Sequence, residues 1–244
     1  QLTIPPQINK MYINDLSPEK SVVKYQLDNG IQTFVISWKN PTKDQGHWDM
    51  ADYVNSCREA LEAVAKITGS KKVNVSAGCS GGQTATMLAS KMASDKDELL
   101  GALTLMVCVL HPKQNDIEAG SLISDNGLAL ARRRADKAGV IKGDDLARGF
   151  AWLRPNDLIW NYVINNYLLG QDPPAFDVLF WNADATNLSA SQSPSPSCSS
   201  TDMTTSMFCL NWTRRAFSSD TAPSRIPSNS TPKRFSKVEA RAVK

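Results

Sequence analysis

An α/β fold with a mostly helical cap is what the 244-residue sequence predicts. Three observations carry that reading. Short apolar runs alternate with helix-spaced stretches through residues 1–111, a turn of small residues around Cys79 joins one such run to one such helix, and residues 112–188 become mostly helical in pattern. Alternation of this kind implies a parallel sheet built with right-handed crossovers.

Taken in order, IQTFVISW (Ile31 to Trp38) is rich in β-branched and aromatic residues and is bounded by Asn-Gly and Asn-Pro, which predicts a buried strand. Met50, Tyr53, Val54, Cys57, Leu61, Val64 and Ile67 recur at helical spacing, and Gly69 supplies a stop, so a helix is expected from Trp48 to Thr68. Cys57 lies on its apolar stripe and reads as core. Lys71 to Ser76 then predicts a short strand, Gly81 to Ala93 a helix opened by small residues, and Gly101 to Leu110 a strand with Cys108 inside it. From Pro112 to Leu188 the aromatic-rich segments DDLARGFAWL and NDLIWNYVINNYLLG suggest a cap packed over the sheet's carboxyl edge. Residues 189–244 are Ser/Thr/Pro-rich and aperiodic, the composition of a loop or disordered segment rather than a packed core.

Composition excludes several functions. The five cysteines (57, 79, 108, 198 and 209) are odd in number and form no C-x-x-C pair, so neither a disulfide framework nor a zinc site is expected, and a reducing cytoplasm fits them. The net charge of +3 is uneven: eight Lys/Arg face three Asp/Glu after residue 188, against 19 and 21 before it. Those basic residues are not interleaved with aromatics on a periodic element, which argues against nucleic acid as a partner. The longest apolar run, Ala102 to Leu110, is too short to span a bilayer. The chain opens on QLTIPP without an initiator Met and reads as a fragment. No residue pattern calls for a cofactor or a metal.

The stretch that carries chemistry is VNVSAGCSGGQTATMLASK, Val73 to Lys91. A nucleophile on a sharp strand-to-helix turn needs small neighbours, because a bulky residue would collide with the crossing helix. Ala77, Gly78, Ser80, Gly81 and Gly82 meet that need around Cys79, although glycine occupies 78 rather than 77, a departure expected to crowd the turn. The helix after the turn would direct its positive end and its backbone N–H groups at a developing oxyanion, with the Ser80 N–H as first donor. The bland reading of Cys79 is a tight packing turn.

A catalytic thiol also needs a base, and the base an orienting acid. The histidines are His47 and His111. His47, in the polar loop DQGHWDM, reads as solvated. His111 ends a predicted strand at the sheet's carboxyl edge, where α/β sites assemble, yet in hydrolases of this type the histidine usually comes last in the chain. The general base and acid are therefore unassigned and look absent from this chain.

PPQINKMYINDLSPEKS, TFVISWKNPTK, ITGSKKVNVSAGCSGG, FAWLRPNDLIWNYVINNYLLG and PPAFDVLFWNADATNL together resemble the polyhydroxyalkanoate synthases, across most of residues 4–188. NNYLLG and PPAFDVLFW are similar to class II enzymes of that family, whereas WNADATNL is closer to class I. The resemblance implies an α/β-hydrolase core whose Cys79 attacks the thioester of an (R)-3-hydroxyacyl-CoA, releases CoA and carries a growing polyester chain. It also implies a homodimer when full length, with a cytoplasmic location at the surface of polyester granules and their surface proteins. Ile8 or Asn9, after the first strand, would supply the second oxyanion N–H beside Ser80. Asp157 and Asp184 fall in motifs that read as structural. Arg132 to Arg134 read as a solvated helix face, with contact to CoA phosphates the alternative. The family's aspartate and histidine lie far beyond its cysteine, in motifs not found after Leu188, where only MFCLNWTRRAF keeps a family likeness; reading-frame errors in a partial gene are the expectation. Rival readings are a thioesterase or polyester depolymerase on the same fold, and a non-catalytic granule-associated remnant.

Overall fold

Leu2–Ile4, strand β1, is only three residues long, yet it lies between the two halves of the sheet. The computed structural model describes residues 1–108, 110, 125–153, 155–173, 178–192 and 241–242. β1 pairs in parallel with β2 (Phe34–Val35) on one side and with β3 (Val73–Gly78) on the other, and β3 pairs in parallel with β4 (Leu100–Met106). The order is thus β4-β3-β1-β2, with the short Arg241–Ala242 antiparallel beside β2. Going along the chain, β2 is added on one side of β1 and β3 on the other. The carboxyl ends of β1 and β3 therefore flank the point where the winding reverses, the crevice where open α/β sheets bind ligands.

The predicted strand at Ile31 to Trp38 is shorter than its composition suggests. Only Phe34 and Val35 pair with Leu2 and Thr3, because the next donor on the β1 side would be Pro5, which has no N–H; Phe34 N–H donates to Gln1 C=O at 2.8 Å and Ile36 N–H to Thr3 C=O at 3.0 Å. The residues before them bond elsewhere: Ile31 N–H donates to Gln26 C=O at 2.9 Å, and the Thr33 hydroxyl donates to Gln26 Oε1 at 3.0 Å.

Three helices connect these strands. After β1 comes α1 (Val22–Asp28), whose Ser21 side chain accepts from Lys24 N–H. The helix α2 (Met50–Thr68) starts two residues later than predicted, because Asp49 caps it reciprocally with Asp52. Such a cap contributes about 1 kcal/mol. Gly69, at φ 68°, ends α2 in the left-handed conformation that glycine adopts without strain. Met50, Tyr53, Val54, Cys57, Ala60, Leu61 and Val64 form its buried stripe. Helix α3 (Ser80–Ser94) buries Ala85, Leu88 and Met92. These stripes meet Leu2, Ile4, Phe34, Ile36, Val73, Val75 and Ala77 of the sheet in one core. Each fully buried Leu or Ile in it stabilises by about 1.5–3 kcal/mol. Tyr53 is held between Trp38 and Trp48 by edge contacts, and burial pushes its phenol up to about 12. Cys57 is completely buried and its thiol is pushed far up by desolvation, as a core residue's would be.

After β4 the described chain is mostly helical: α4 (Asp125–Ala138), α5 (Gly143–Leu153), π-helical turns at Asn156–Trp160 and Val163–Leu168, and α6 (Leu179–Ala183). A two-stranded antiparallel ribbon pairs β5 (Val140–Ile141) with β6 (Leu188–Ser189). The segment 181–191 is stitched to the loops after β1 and β2. Trp181 Nε1 donates to Lys10 C=O at 2.8 Å, Thr186 N–H to Ile8 C=O at 3.0 Å, and Asn187 N–H to Asn40 Oδ1 at 2.8 Å. Packing continues past Leu188, since Ser189 is completely buried and its hydroxyl donates to Trp48 C=O. Among the described residues no helix is long and apolar enough to cross a membrane.

Candidate active site

The β3–α3 junction has the geometry of a nucleophile elbow. Cys79 sits between the strand and the helix at φ 50° and ψ −125°, outside the regions an L-residue favours. Holding a non-glycine residue there costs about 1–3 kcal/mol, which surrounding contacts must offset. Two backbone hydrogen bonds do so: Cys79 N–H donates to Met106 C=O at 3.1 Å, and Gly82 N–H to Cys79 C=O at 3.0 Å. Although Cys79 occupies the N-cap position of α3, its side chain makes no capping hydrogen bond. The thiol is partly exposed and stands at the carboxyl edge of the sheet.

Crowding lies on the helix side of the turn. A Cβ added to Gly81 would stand 2.5 Å from Ile4 C=O and 2.6 Å from Pro5 C=O, so the first turn of α3 lies directly on the backbone leaving β1. On the strand side there is room. The nearest atom to a Cβ on Gly78 would be Met106 C=O at 4.0 Å, and the methyl of Ala77 is accommodated with no exposed surface. The expected crowding from alanine at 77 is therefore not found, because that position faces the core and not the crossing helix.

Gly81's contact brings the loop after β1 to the elbow. Pro5 and Pro6 have no N–H to give, so the first backbone N–H of this loop is that of Gln7. Gln7 is buried and its amide donates to the Thr84 hydroxyl on α3, pinning the loop against the helix. Trp38 Nε1 donates to Pro5 C=O at 2.8 Å from the β2 side. Ile8 and Asn9 follow, and both are also tied to the 184–186 segment: Asn9 forms a bridge with Ala185, while Ile8 C=O accepts from Thr186. Asp184 accepts from the Tyr12 hydroxyl at 3.1 Å, which makes it part of the same seam. The Ser80 hydroxyl is buried without a hydrogen-bond partner among the described residues.

Cys108 was expected inside β4 but lies two residues beyond it. Val107, at φ 46°, turns the chain out of the strand, and the Cys108 thiol comes to rest against the first turn of α3, 2.6 Å from where a Cβ on Gly82 would be. Burial, and next to it the charge of Cys79, push the Cys108 thiol up. Gly82 was the signal for this neighbour, since a second glycine in a helix's first turn marks another group's close approach.

Of the remaining candidates, His47 is exposed in the turn before α2, and His111 lies outside the described residues. Arg132 approaches Asp136 at 3.9 Å on α4, while Arg133 and Arg134 are exposed. Asp157 is exposed on a π-helical turn. Residues 193–240, which hold MFCLNWTRRAF and most of the Ser/Pro-rich tail, lie outside the described residues, as do 243 and 244. Among the described residues, no group of three or more His, Cys, Asp or Glu side chains is gathered as a metal ion would need.

The model of the alpha/beta hydrolase fold matches residues 14–209. The chain belongs to the alpha/beta hydrolase fold family. Within that family it is 50% identical over 189 residues to poly(3-hydroxyalkanoate) polymerase 1 of Ectopseudomonas oleovorans, covering 78% of this chain and 34% of that protein. It is 44% identical over 190 residues to polymerase 2 of the same organism, with the same coverage. Poly(3-hydroxyalkanoate) polymerase subunit PhaC of Cupriavidus necator is 37% identical over 194 residues, 77% of this chain and 33% of that protein. The likeness implied by the sequence motifs is therefore present in named proteins. The chain spans about a third of the length of the curated relatives it matches.

Proposed function

We propose that this chain is the nucleophile-bearing part of an acyltransferase that polymerises (R)-3-hydroxyacyl-CoA into polyester. The observation that carries the reading is a cysteine, not a serine, in the strained elbow conformation, in a chain similar to poly(3-hydroxyalkanoate) polymerases. In the proposed reaction the Cys79 sulfur attacks the substrate's thioester carbonyl. The oxyanion that forms is met by the Ser80 N–H at the start of α3 and by a second N–H from Ile8 or Asn9 on the loop pinned against it. Collapse expels CoA as a thiolate and leaves the acyl group on Cys79. Exchange of one thioester for another is close to balanced in energy, so the acyl group stays activated. A hydroxyl at the end of another acyl unit then attacks it, and the new ester bond lengthens the chain.

That last step needs a general base, which the described residues do not place beside Cys79. The reading therefore holds that this chain loads acyl groups faster than it passes them on. Exposed Trp160, Tyr167, Leu168, Leu169 and Phe180 in the helical segment suit a location at an apolar polyester surface. The test is release of CoA from 3-hydroxydecanoyl-CoA, followed by chromatography. A burst of CoA release that is lost in Cys79→Ala is expected for a covalent intermediate with slow turnover. Continuous release of free hydroxy acid would instead identify a thioesterase, and no release by the folded protein would remove Cys79 from the chemistry.

A further inference from the structure

Cys108 is a nucleophilic side chain that the acyl-transfer reading leaves unused. Three features fix its place. Met106, at the end of β4, accepts the Cys79 N–H; Val107 turns the chain at positive φ; and the Cys108 sulfur then fills the space that Gly82 leaves open on the first turn of α3, with the Cβ of Cys108 3.0 Å from the same point. That turn is the one Cys79 begins, and Gly82 N–H is bonded to Cys79 C=O. Two partly exposed thiols thus share one helix start at the carboxyl edge of the sheet. We propose that Cys108 is a second acyl site, to which the group loaded on Cys79 passes by thiol–thioester exchange.

The inference rests on the acyl-transfer reading. In the exchange the Cys108 sulfur bonds to the acyl carbon, the Cys79 sulfur–carbon bond breaks, and the Cys108 proton ends on the Cys79 thiolate. One thioester replaces another, so the acyl group distributes over both sulfurs and Cys79 is freed to accept again. The electrostatics favour this order. Negative charge on Cys79 helps to keep Cys108 protonated, and acylation of Cys79 removes that charge. Cys108 is thereby a poor competitor for the first substrate and a better nucleophile once Cys79 is loaded.

The experiment loads the whole chain with 3-hydroxydecanoyl-CoA, quenches it in acid and maps the adducts by mass. Acyl groups on both Cys79 and Cys108 are expected, with adduct on Cys79 alone in Cys108→Ala and on neither in Cys79→Ala. Adduct confined to Cys79 in the unaltered chain overturns the relay and leaves the acyl-transfer reading standing. Adduct on Cys108 in Cys79→Ala overturns the order of the steps, and no adduct anywhere overturns both readings. A second measurement tests reach without the substrate, in a background with Cys198→Ser and Cys209→Ser. Reaction with dithiobis(nitrobenzoate) should release about two nitrothiolates per chain and leave no mixed disulfide, because Cys108 displaces the one formed on Cys79. In Cys108→Ala about one is released and one retained. A stable mixed disulfide on Cys79 with Cys108 present would overturn the proposal.

Discussion

The two sides of the turn at Cys79 are built from the same small residues and face different surroundings. Ala77 and Gly78 lead in along β3, where a side chain has either a core site or open space; Gly81 and Gly82 lead out along α3, where one meets the backbone after β1 and the other meets Cys108. A methyl is thus tolerated before the cysteine and excluded after it. What sets the requirement is how closely the first turn of α3 lies on the backbone after β1 and on Cys108.

The strongest way to break this contrast is Gly81→Ala. Its Cβ would press on two carbonyl groups that cannot rotate away, so a loss of about 3 kcal/mol in denaturant unfolding is expected. Gly82→Ala should cost less, about 1–2 kcal/mol, because the atom in its way is the end of a side chain. Adding Cys108→Ala should recover part of that loss, and a double-mutant cycle showing no coupling would place Cys108 elsewhere. Ser80→Ala should stabilise by about 1 kcal/mol, since it removes a buried hydroxyl that lacks a partner among the described residues, while leaving the backbone N–H in place. Gly78→Ala is expected to stay within about 0.5 kcal/mol of the parent, given the open space around it. Equal costs at 78 and 81 would erase the difference between the two sides.

Much of this region was legible in the sequence because its signals are local. The stripe from Met50 to Val64 repeats every three or four residues, and the Ala-Gly-Cys-Ser-Gly-Gly run marks a turn with no room for side chains. Less legible were the features set by partners distant in sequence. β1 is too short for any periodicity to show, and β2 is shortened to match it. Cys108 looked like one more apolar residue of a strand, because nothing in LMVCVL reports the positive φ at Val107 that carries it out of β4. The pairing of Asn9 with Ala185 and the Tyr12–Asp184 hydrogen bond join residues more than 170 apart in the chain, beyond what spacing can reveal. Alanine at 77 illustrates the opposite case, a motif departure that looked costly and is harmless because its methyl enters the core.

The most direct test of the account is the intact mass of the chain after brief exposure to 3-hydroxydecanoyl-CoA, compared with that of Cys79→Ala. A single hydroxyacyl increment at early times, mapped to Cys79 and missing from the variant, is the result predicted. A folded chain that gains no mass, or a variant that gains as much as the parent, would contradict it.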